Sequence, residues 1–366
     1  MQSEICLPQL VHTPPDANTV LSICMATYNR ADYIGKTLDV ILAQMTPEME
    51  LVIVDGASMD HTAQVVEPYQ AKYSNVRYYR EAINSGIDGD FDKSVLYARG
   101  GHCWLMSDDD LLAPGALAAV LERIRAGADL VVVNAEVRSK DLSVRLRAGL
   151  LPPGTQTHHT LESRNEFLAQ TGQHLTFIGA VVIRRTAWLE RAREAYYGTL
   201  FIHAGVIFQS PPLAQIQVIL EPLIVIRYGN AMWTARGFEI WMYKWPKLVW
   251  SFSDYSDSAK RQVTASQPDA NPVQLAWFRA IGAYGVPQYK TFVSQQPSMR
   301  VRWVARWIAA VPASLLNAAF AIACYIRASE AKQMNLYDLA RSSSGSGLAR
   351  FLAKRLGVPV ELPARK

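Results

Sequence analysis

The run Cys103-Trp104-Leu105-Met106-Ser107-Asp108-Asp109-Asp110 decides how this chain reads. Four apolar residues end abruptly in three carboxylates. Adjacent carboxylates repel one another, and a chain holds three of them best where a divalent cation, or a phosphate with its cation, balances the charge. Upstream, the same pattern of an apolar run closed by a polar turn occurs twice more. Val20-Leu21-Ser22-Ile23-Cys24-Met25 leads to Thr27-Tyr28-Asn29-Arg30, and Leu51-Val52-Ile53-Val54 leads to Asp55-Gly56-Ala57-Ser58. Polar turns at the ends of buried strands gather at the C-terminal edge of a parallel sheet, where open α/β folds bind nucleotides. The first third therefore reads as a sugar-nucleotide site.

The intervening segments support that sheet. Ala31, Tyr33, Ile34, Leu38, Ile41 and Leu42 recur at helical spacing, predicting a helix over 31–45. Further helices are expected over 60–72, 91–99 and 114–126, with strands at 50–54, 77–79, 102–106 and 130–134. Asn84 to Asp90 reads as a turn-rich loop. This βαβα order predicts an α/β fold with a mostly parallel, Rossmann-like sheet flanked by helices. Beyond 136 the pattern loosens, with strands expected at 176–184 and 216–227. The expected organisation is a lead-in over 1–18, a nucleotide-sugar-binding half over 19–135 and an acceptor-binding half over 136–235. A helical, aromatic-rich extension over 236–297, an amphipathic membrane-associating segment over 298–340 and a flexible basic tail over 341–366 follow. Ser342 to Gly347 reads as the flexible linker of that tail.

Composition narrows the class. Half of the 366 residues are hydrophobic, ample for a sizeable core, and the net charge is +5. The four cysteines (Cys6, Cys24, Cys103 and Cys324) form no CxxC pair, against a zinc ribbon or redox pair. Reduced core thiols and no secretory signal point to the cytosol, or to a membrane approached from the cytosolic side. Trp307 to Ile326 is uncharged and near the length that spans a bilayer, but it contains Pro312, Ser314 and Asn317. Arginines at 300, 302 and 306 flank one end, Arg327 and Lys332 the other, and Trp303 and Trp307 lie among them. Such a segment is expected to lie on anionic lipid as an interfacial or re-entrant helix. The interleaved tryptophans favour lipid over nucleic acid as the partner of this basic region.

Taken together, the TYNR turn, Val54 to Asp60, the Asn84/Gly86 loop, Ala98-Arg99-Gly100-Gly101 and Ser107 to Asp110 resemble the inverting GT-A glycosyltransferases of family 2. The resemblance is strong over 20–135 and weaker to 230. From Gly86-Ile87-Asp88 to Cys103-Trp104-Leu105 it is similar to the subgroup that builds lipid-linked O-antigen or capsule saccharides. It implies that Asp55 accepts a hydrogen bond from the nucleobase, and that Thr27, Tyr28 and Arg30 line the base and diphosphate. Asp88 and Lys93 would also face the nucleotide. Asp108 would fall near the ribose, with Asp109 as metal ligand and Asp110 in support; Ser107, where the family's acidic motif begins, is a departure. The ion would be Mg²⁺ or Mn²⁺, since hard cations suit oxygen ligands.

Inversion also needs a general base. The matching loop, Gly198 to His203, offers His203; Asp254 and Asp257 are weaker candidates. Arg227 would offset leaving-group charge, and Trp233 would stack on the acceptor sugar. The resemblance thus implies a peripheral (monotopic) enzyme on the cytoplasmic face of the inner or plasma membrane. It would take a nucleotide-sugar donor and a polyprenyl-diphosphate-linked saccharide acceptor. A soluble or protein acceptor with a dimerising tail stays open, as does a non-catalytic sugar-nucleotide-binding scaffold. A nucleotidyltransferase expects a Gly-rich, cationic first loop, which TYNR does not supply.

Overall fold

The computed structural model describes residues 12–230, 236–327 and 329–360. Two compact units are present: residues through 135 with 151–225, and 136–150 with 226 onward. The first is built on strands β1 (Leu21–Thr27), β2 (Met49–Asp55), β3 (Val76–Arg80) and β4 (His102–Met106). β1 pairs in parallel with both β2 and β4, and β2 with β3. All seven residues of β1 and of β2 are buried. A strand covered on both faces reads as a continuous apolar run rather than an alternating one, as LSICMAT and MELVIVD do.

The remaining strands are β5 (Leu111–Leu112), β6 (Leu130–Arg138), β7 (Arg145–Arg147), β8 (His158–His159), β9 (Val181–Arg184) and β10 (Ile216–Arg227). The sheet order is β3-β2-β1-β4-β9-β6-β10-β5, with β7 on β6 and β8 on β10. β9 is antiparallel to both β4 and β6, so β6 runs in the same direction as β4. The strand expected from Thr176 begins only at Val181, since 174–180 forms two 3₁₀ turns. There the Trp104 indole donates to the Gly179 carbonyl at 2.8 Å.

Helices α1 (Ala31–Leu42), α2 (Thr62–Lys72), α3 (Gly86–Tyr97) and α4 (Ala116–Arg125) connect the parallel strands. α1 buries Ile34, Thr37, Leu38, Ile41 and Leu42, the stripe its spacing predicts. α3 corrects the expectation of a loop over 84–90. It starts at Gly86, whose φ of +79° suits a residue without Cβ, and Asp88 through Leu96 are all buried. Two glycines make this a poor helix locally; partners for its acidic side chains, described below, override propensity. α5 (Arg164–Thr171), α6 (Arg185–Leu189) and the wholly buried α7 (Ile202–Phe208) complete this unit.

The second unit is mainly helical: α8 (Gly237–Glu239), α9 (Trp245–Trp250), α10 (Asp257–Val263), α11 (Pro272–Ala280), α12 (Val286–Gln288), α13 (Met299–Ala310), α14 (Ala313–Ile326), α15 (Glu330–Arg341) and α16 (Gly347–Arg355). The uncharged run 307–326 is not one helix. Pro312 breaks it, and α13 and α14 meet at 95°. Among the described residues no single helix is long and apolar enough to cross a membrane. Asn317, which looked out of place in an apolar run, is fully buried. It donates to the Ala280 carbonyl at 3.1 Å and the Leu339 carbonyl at 2.9 Å, and accepts from the Ser346 amide at 2.9 Å. The Ser342–Gly347 segment is therefore a packed connection, not a flexible linker. Its Ser346 hydroxyl caps α16 by accepting from the Ala349 amide at 3.1 Å, and α16 buries Ala349, Leu352 and Ala353.

Candidate active site

The first two polar turns are laced together. The Asn29 amide donates to Ser58 Oγ at 2.8 Å and the Met59 amide to Asn29 Oδ1 at 2.8 Å. The Arg30 amide donates to Thr62 Oγ1 at 2.9 Å, and the Ala31 amide to Asp60 Oδ2 at 3.1 Å. Asn29 (φ +55°) and Ala57 (φ +64°) are left-handed, a conformation Asn tolerates and Ala adopts only when its surroundings enforce it. The lacing makes one rigid edge from the ends of β1 and β2.

Asp55 closes β2 and is fully buried. Oδ1 accepts from the Ser58 amide at 2.7 Å, and Oδ2 from the Tyr78 hydroxyl. Burial, followed by the bond to Asp55, raises the Tyr78 hydroxyl pKa and keeps it a donor. A carboxylate offers about four acceptor positions, so Asp55 retains acceptor capacity beyond these two bonds.

The acidic turn follows β4. Arg30 Nε lies 3.4 Å from Asp108 Oδ1, and Arg30 Nη2 lies 3.6 Å from Asp109 Oδ2. One guanidinium thus faces two carboxylates. Burial, and then repulsion from Asp109, push the Asp108 carboxyl up to about 7, against the pull of Arg30 and Thr27. Thr27 Oγ1 is buried beside the Asp108 carboxylate, which it helps to hold ionised. The Asp110 carboxylate accepts from the Ser107 hydroxyl, and its carbonyl from Thr37 Oγ1 at 3.0 Å. The pairing of β5 with β10, Leu111↔Val225 and Leu112↔Ile224, fixes the far end of this turn.

Among the described residues no three of His, Cys, Asp and Glu converge as a ready-made metal cage. The donor set still fits a hard dication. Mg²⁺ sites characteristically use one or two carboxylates and take their remaining oxygens from substrate phosphates and water. Asp108 and Asp109 are such a pair of buried carboxylates.

Several other expected site residues hold protein partners. Asp88 is engaged by the 198–203 loop, with the Leu200 amide on Oδ2 at 2.8 Å and the Ile202 amide on Oδ1 at 3.1 Å. Lys93 is ion-paired to Glu81 at 2.7 Å. Tyr28 remains at the turn, half-buried. His203 is buried in the all-apolar shell of α7, with Nε2 2.9 Å from the Leu175 carbonyl, and desolvation takes its pKa down to about 4. A base must reach the acceptor hydroxyl; His203 is a core residue instead, because IHAGVIF is apolar on every side. Arg227 lies in the second unit, where Nη1 donates to the Lys140 carbonyl at 2.8 Å. Trp233 lies outside the described residues.

The structure also adds residues that sequence reasoning missed. At 100° per residue, Asp88 and Asp92 share one face of α3, and Asp90 lies opposite. Asp92 accepts from Trp188 Nε1 at 2.8 Å, Arg193 Nη1 at 2.8 Å and the Tyr197 hydroxyl at 2.6 Å. Together Asp88 and Asp92 pin segment 193–202 to α3. Asp90, bonded to the Ser85 hydroxyl, fills the space beside Gly56, where a Cβ would come 2.5 Å from Asp90 Oδ2. Burial raises its carboxyl to about 6. The i, i+2, i+4 spacing of three acids was the available signal.

Comparison with known proteins places this geometry. The model of a family described as Glycosyl transferase family 2 matches residues 22–191. An abequosyltransferase of Salmonella typhimurium is 25% identical over 232 residues, covering 60% of this chain and 69% of that one. A Campylobacter jejuni GalNAc(5)-diNAcBac-PP-undecaprenol beta-1,3-glucosyltransferase is 27% identical over 108 residues, 29% of this chain and 35% of the relative. Among solved structures, S. aureus TarS 1-349 in complex with UDP shares the fold at a TM-score of 0.51 with 16% identity, over 95% of both chains. A mannosyltransferase of Pyrobaculum calidifontis, solved with GDP-Man and Mn²⁺, does so at 0.50 with 16% identity, over 85% of this chain and 90% of that one.

Proposed function

Because residues 22–191 match the model of glycosyl transferase family 2, we propose that the protein transfers a glycosyl group from a nucleotide-sugar to a hydroxyl of a polyprenyl-diphosphate-linked saccharide. The acceptor oxygen forms a bond to the anomeric carbon as the bond to the diphosphate breaks. The acceptor hydroxyl loses its proton, the nucleoside diphosphate leaves, and the anomeric centre inverts. The observation that carries this reading is the single Arg30 guanidinium facing Asp108 and Asp109 at the ends of β1 and β4. It is a charge arrangement that a diphosphate and its cation complete.

In this reading Asp109, with Asp108, holds Mg²⁺ or Mn²⁺, and Arg30 is released toward diphosphate oxygens. The bound ion supplies Lewis-acid stabilisation of the departing diphosphate. The buried Thr27 hydroxyl beside Asp108 faces the donor, and Asp55 accepts the ring N–H of the base. A ring N–H points to uracil or guanine. The UDP and GDP-Man found on the two relatives of the same fold support that choice.

The acceptor assignment draws on the undecaprenol substrate in the Campylobacter relative's name and on the second unit. Trp303 and Trp307 on α13 are 63% and 59% exposed, and Leu315, Ile322 and Ile326 on α14 are also exposed. Tryptophans among arginines suit a bilayer interface. We place the protein on the cytoplasmic face as a peripheral protein whose acceptor stays in the bilayer; a homo-oligomer is compatible with this arrangement.

The test is thermal stabilisation by UDP, GDP, CDP and dTDP, with and without Mn²⁺, in wild type and Asp109→Ala. A metal-dependent shift for one nucleotide, lost in the variant, is expected. Unchanged metal dependence in Asp109→Ala overturns the site. Sedimentation with phosphatidylglycerol vesicles tests the membrane assignment separately.

A further inference from the structure

A cleft of ≈ 300 Å³ lies wholly within the second unit. Its walls include Trp277 of α11 and Phe320, Ala323 and Cys324 of α14, with Trp277 and Phe320 edge to face at 5.5 Å. Arg327 and Lys332 also line it, and no Asp or Glu does. Among the described residues neither cation is ion-paired. Lys332 is close enough to Cys324 to pull its thiol pKa down, while burial pushes it up more strongly. An apolar, aromatic slot with two uncompensated cations matches an amphiphile that carries an anion. Besides the two cations its polar lining is the Gln274 and Asn335 side chains, and its volume, at the low end for small-molecule sites, is against a whole nucleotide or a saccharide chain.

We infer that this cleft binds one anionic phospholipid of the membrane surface, its phosphate between Arg327 and Lys332 and the start of one acyl chain along Trp277, Phe320 and Ala323. Charge complementarity argues for this occupant. Leu315, Ile322 and Ile326, at spacings of seven and four, add an exposed apolar stripe on another face of α14. The inference rests on the membrane reading above but names a site that the reading does not require, since exposed tryptophans alone can hold a protein to a bilayer.

The test uses the full chain with Cys6→Ser. Cys24 and Cys103 are fully buried, so Cys324 reports on the cleft. Maleimide modification of Cys324 is followed by intact mass with monomeric dihexanoyl-phosphatidylglycerol, dihexanoyl-phosphatidylcholine, inorganic phosphate or farnesyl diphosphate. Phosphatidylglycerol at about ten times its dissociation constant should slow the reaction about tenfold. Phosphatidylcholine should protect far less and phosphate not at all, and Arg327→Gln with Lys332→Gln should remove the difference between the two lipids. Absent protection, equal protection by both lipids, or protection by phosphate alone overturns the proposal. Farnesyl diphosphate protecting at much lower concentration than phosphatidylglycerol reassigns the cleft to an isoprenoid and also overturns it. Vesicle sedimentation is read independently: vesicle binding without Cys324 protection sinks the cleft alone, and protection without vesicle binding sinks the membrane reading alone.

Discussion

Replacing Asp108 by asparagine should stabilise the free protein at neutral pH while weakening its site. The Asp108 carboxyl titrates at about 7 in the folded chain, against an ordinary value of 3.8. A folded-state pKa above the unfolded one means that the native protein binds the proton more tightly. This group therefore adds no penalty below 3.8; the penalty grows from 3.8 to about 7 and is constant above that. At 1.36 kcal/mol per unit the ionised carboxylate opposes folding at pH 8 by at most about 4 kcal/mol. Part of the shift comes from repulsion by Asp109 and is screened in solution, so about 2–4 kcal/mol is expected. Asparagine keeps the shape and removes the charge.

Urea denaturation of wild type and Asp108→Asn across pH 4.5 to 8 measures this directly. The difference between the two should be small at the acid end and should grow to about 2–4 kcal/mol in the variant's favour by pH 8. Asp90 and Asp338 also have raised carboxyls, at about 6 and 7, so only the difference isolates Asp108. Meanwhile stabilisation by nucleoside diphosphate with Mn²⁺ should shrink in the variant. Two pH curves that run parallel would refute the claim that this carboxylate is held against its own desolvation for a ligand's sake.

Asp92→Ala strips three donors of their shared acceptor and leaves the Arg193 guanidinium unpaired; about 3–5 kcal/mol of stability should be lost, read by urea denaturation. His203→Gln should retain transfer within a few-fold. The wild-type imidazole, with its pKa depressed from 6.5 to about 4, contributes stability above 6.5 that is lost as pH falls through 4. That loss, about 3 kcal/mol, should be missing in the variant's pH profile. Asn317→Leu should cost about 2–4 kcal/mol, because two buried carbonyls and the Ser346 amide lose their partner. Hydrogen exchange should then show α16 opening first.

The sheet edge was readable because its signal is local. A buried parallel strand must be apolar along its whole length, so each polar turn marks where a strand leaves the core. That logic marks Thr27 to Arg30, Asp55 to Ser58 and Ser107 to Asp110 from the sequence alone. Arg30 and Asp108–Asp109, 78 and more positions apart in sequence, then met as the parallel pairing of β1 with β4 requires.

The roles of individual polar side chains were not readable, because they depend on what lies across from them. Asp88, Asp90 and Asp92 look alike in sequence; helical rotation sends two to brace the 193–202 segment and one to Gly56. His203 carries a base's chemistry, but the apolar residues around it leave no path to an acceptor. Asn317 looked like a flaw in a membrane segment and is a buried junction of three partners. Apolar runs along the chain determined strands β1 to β4 and the acidic edge. Tertiary packing alone decided which carboxylates face Arg30 and which brace other segments, because desolvation and hydrogen-bond partners come from residues distant in sequence.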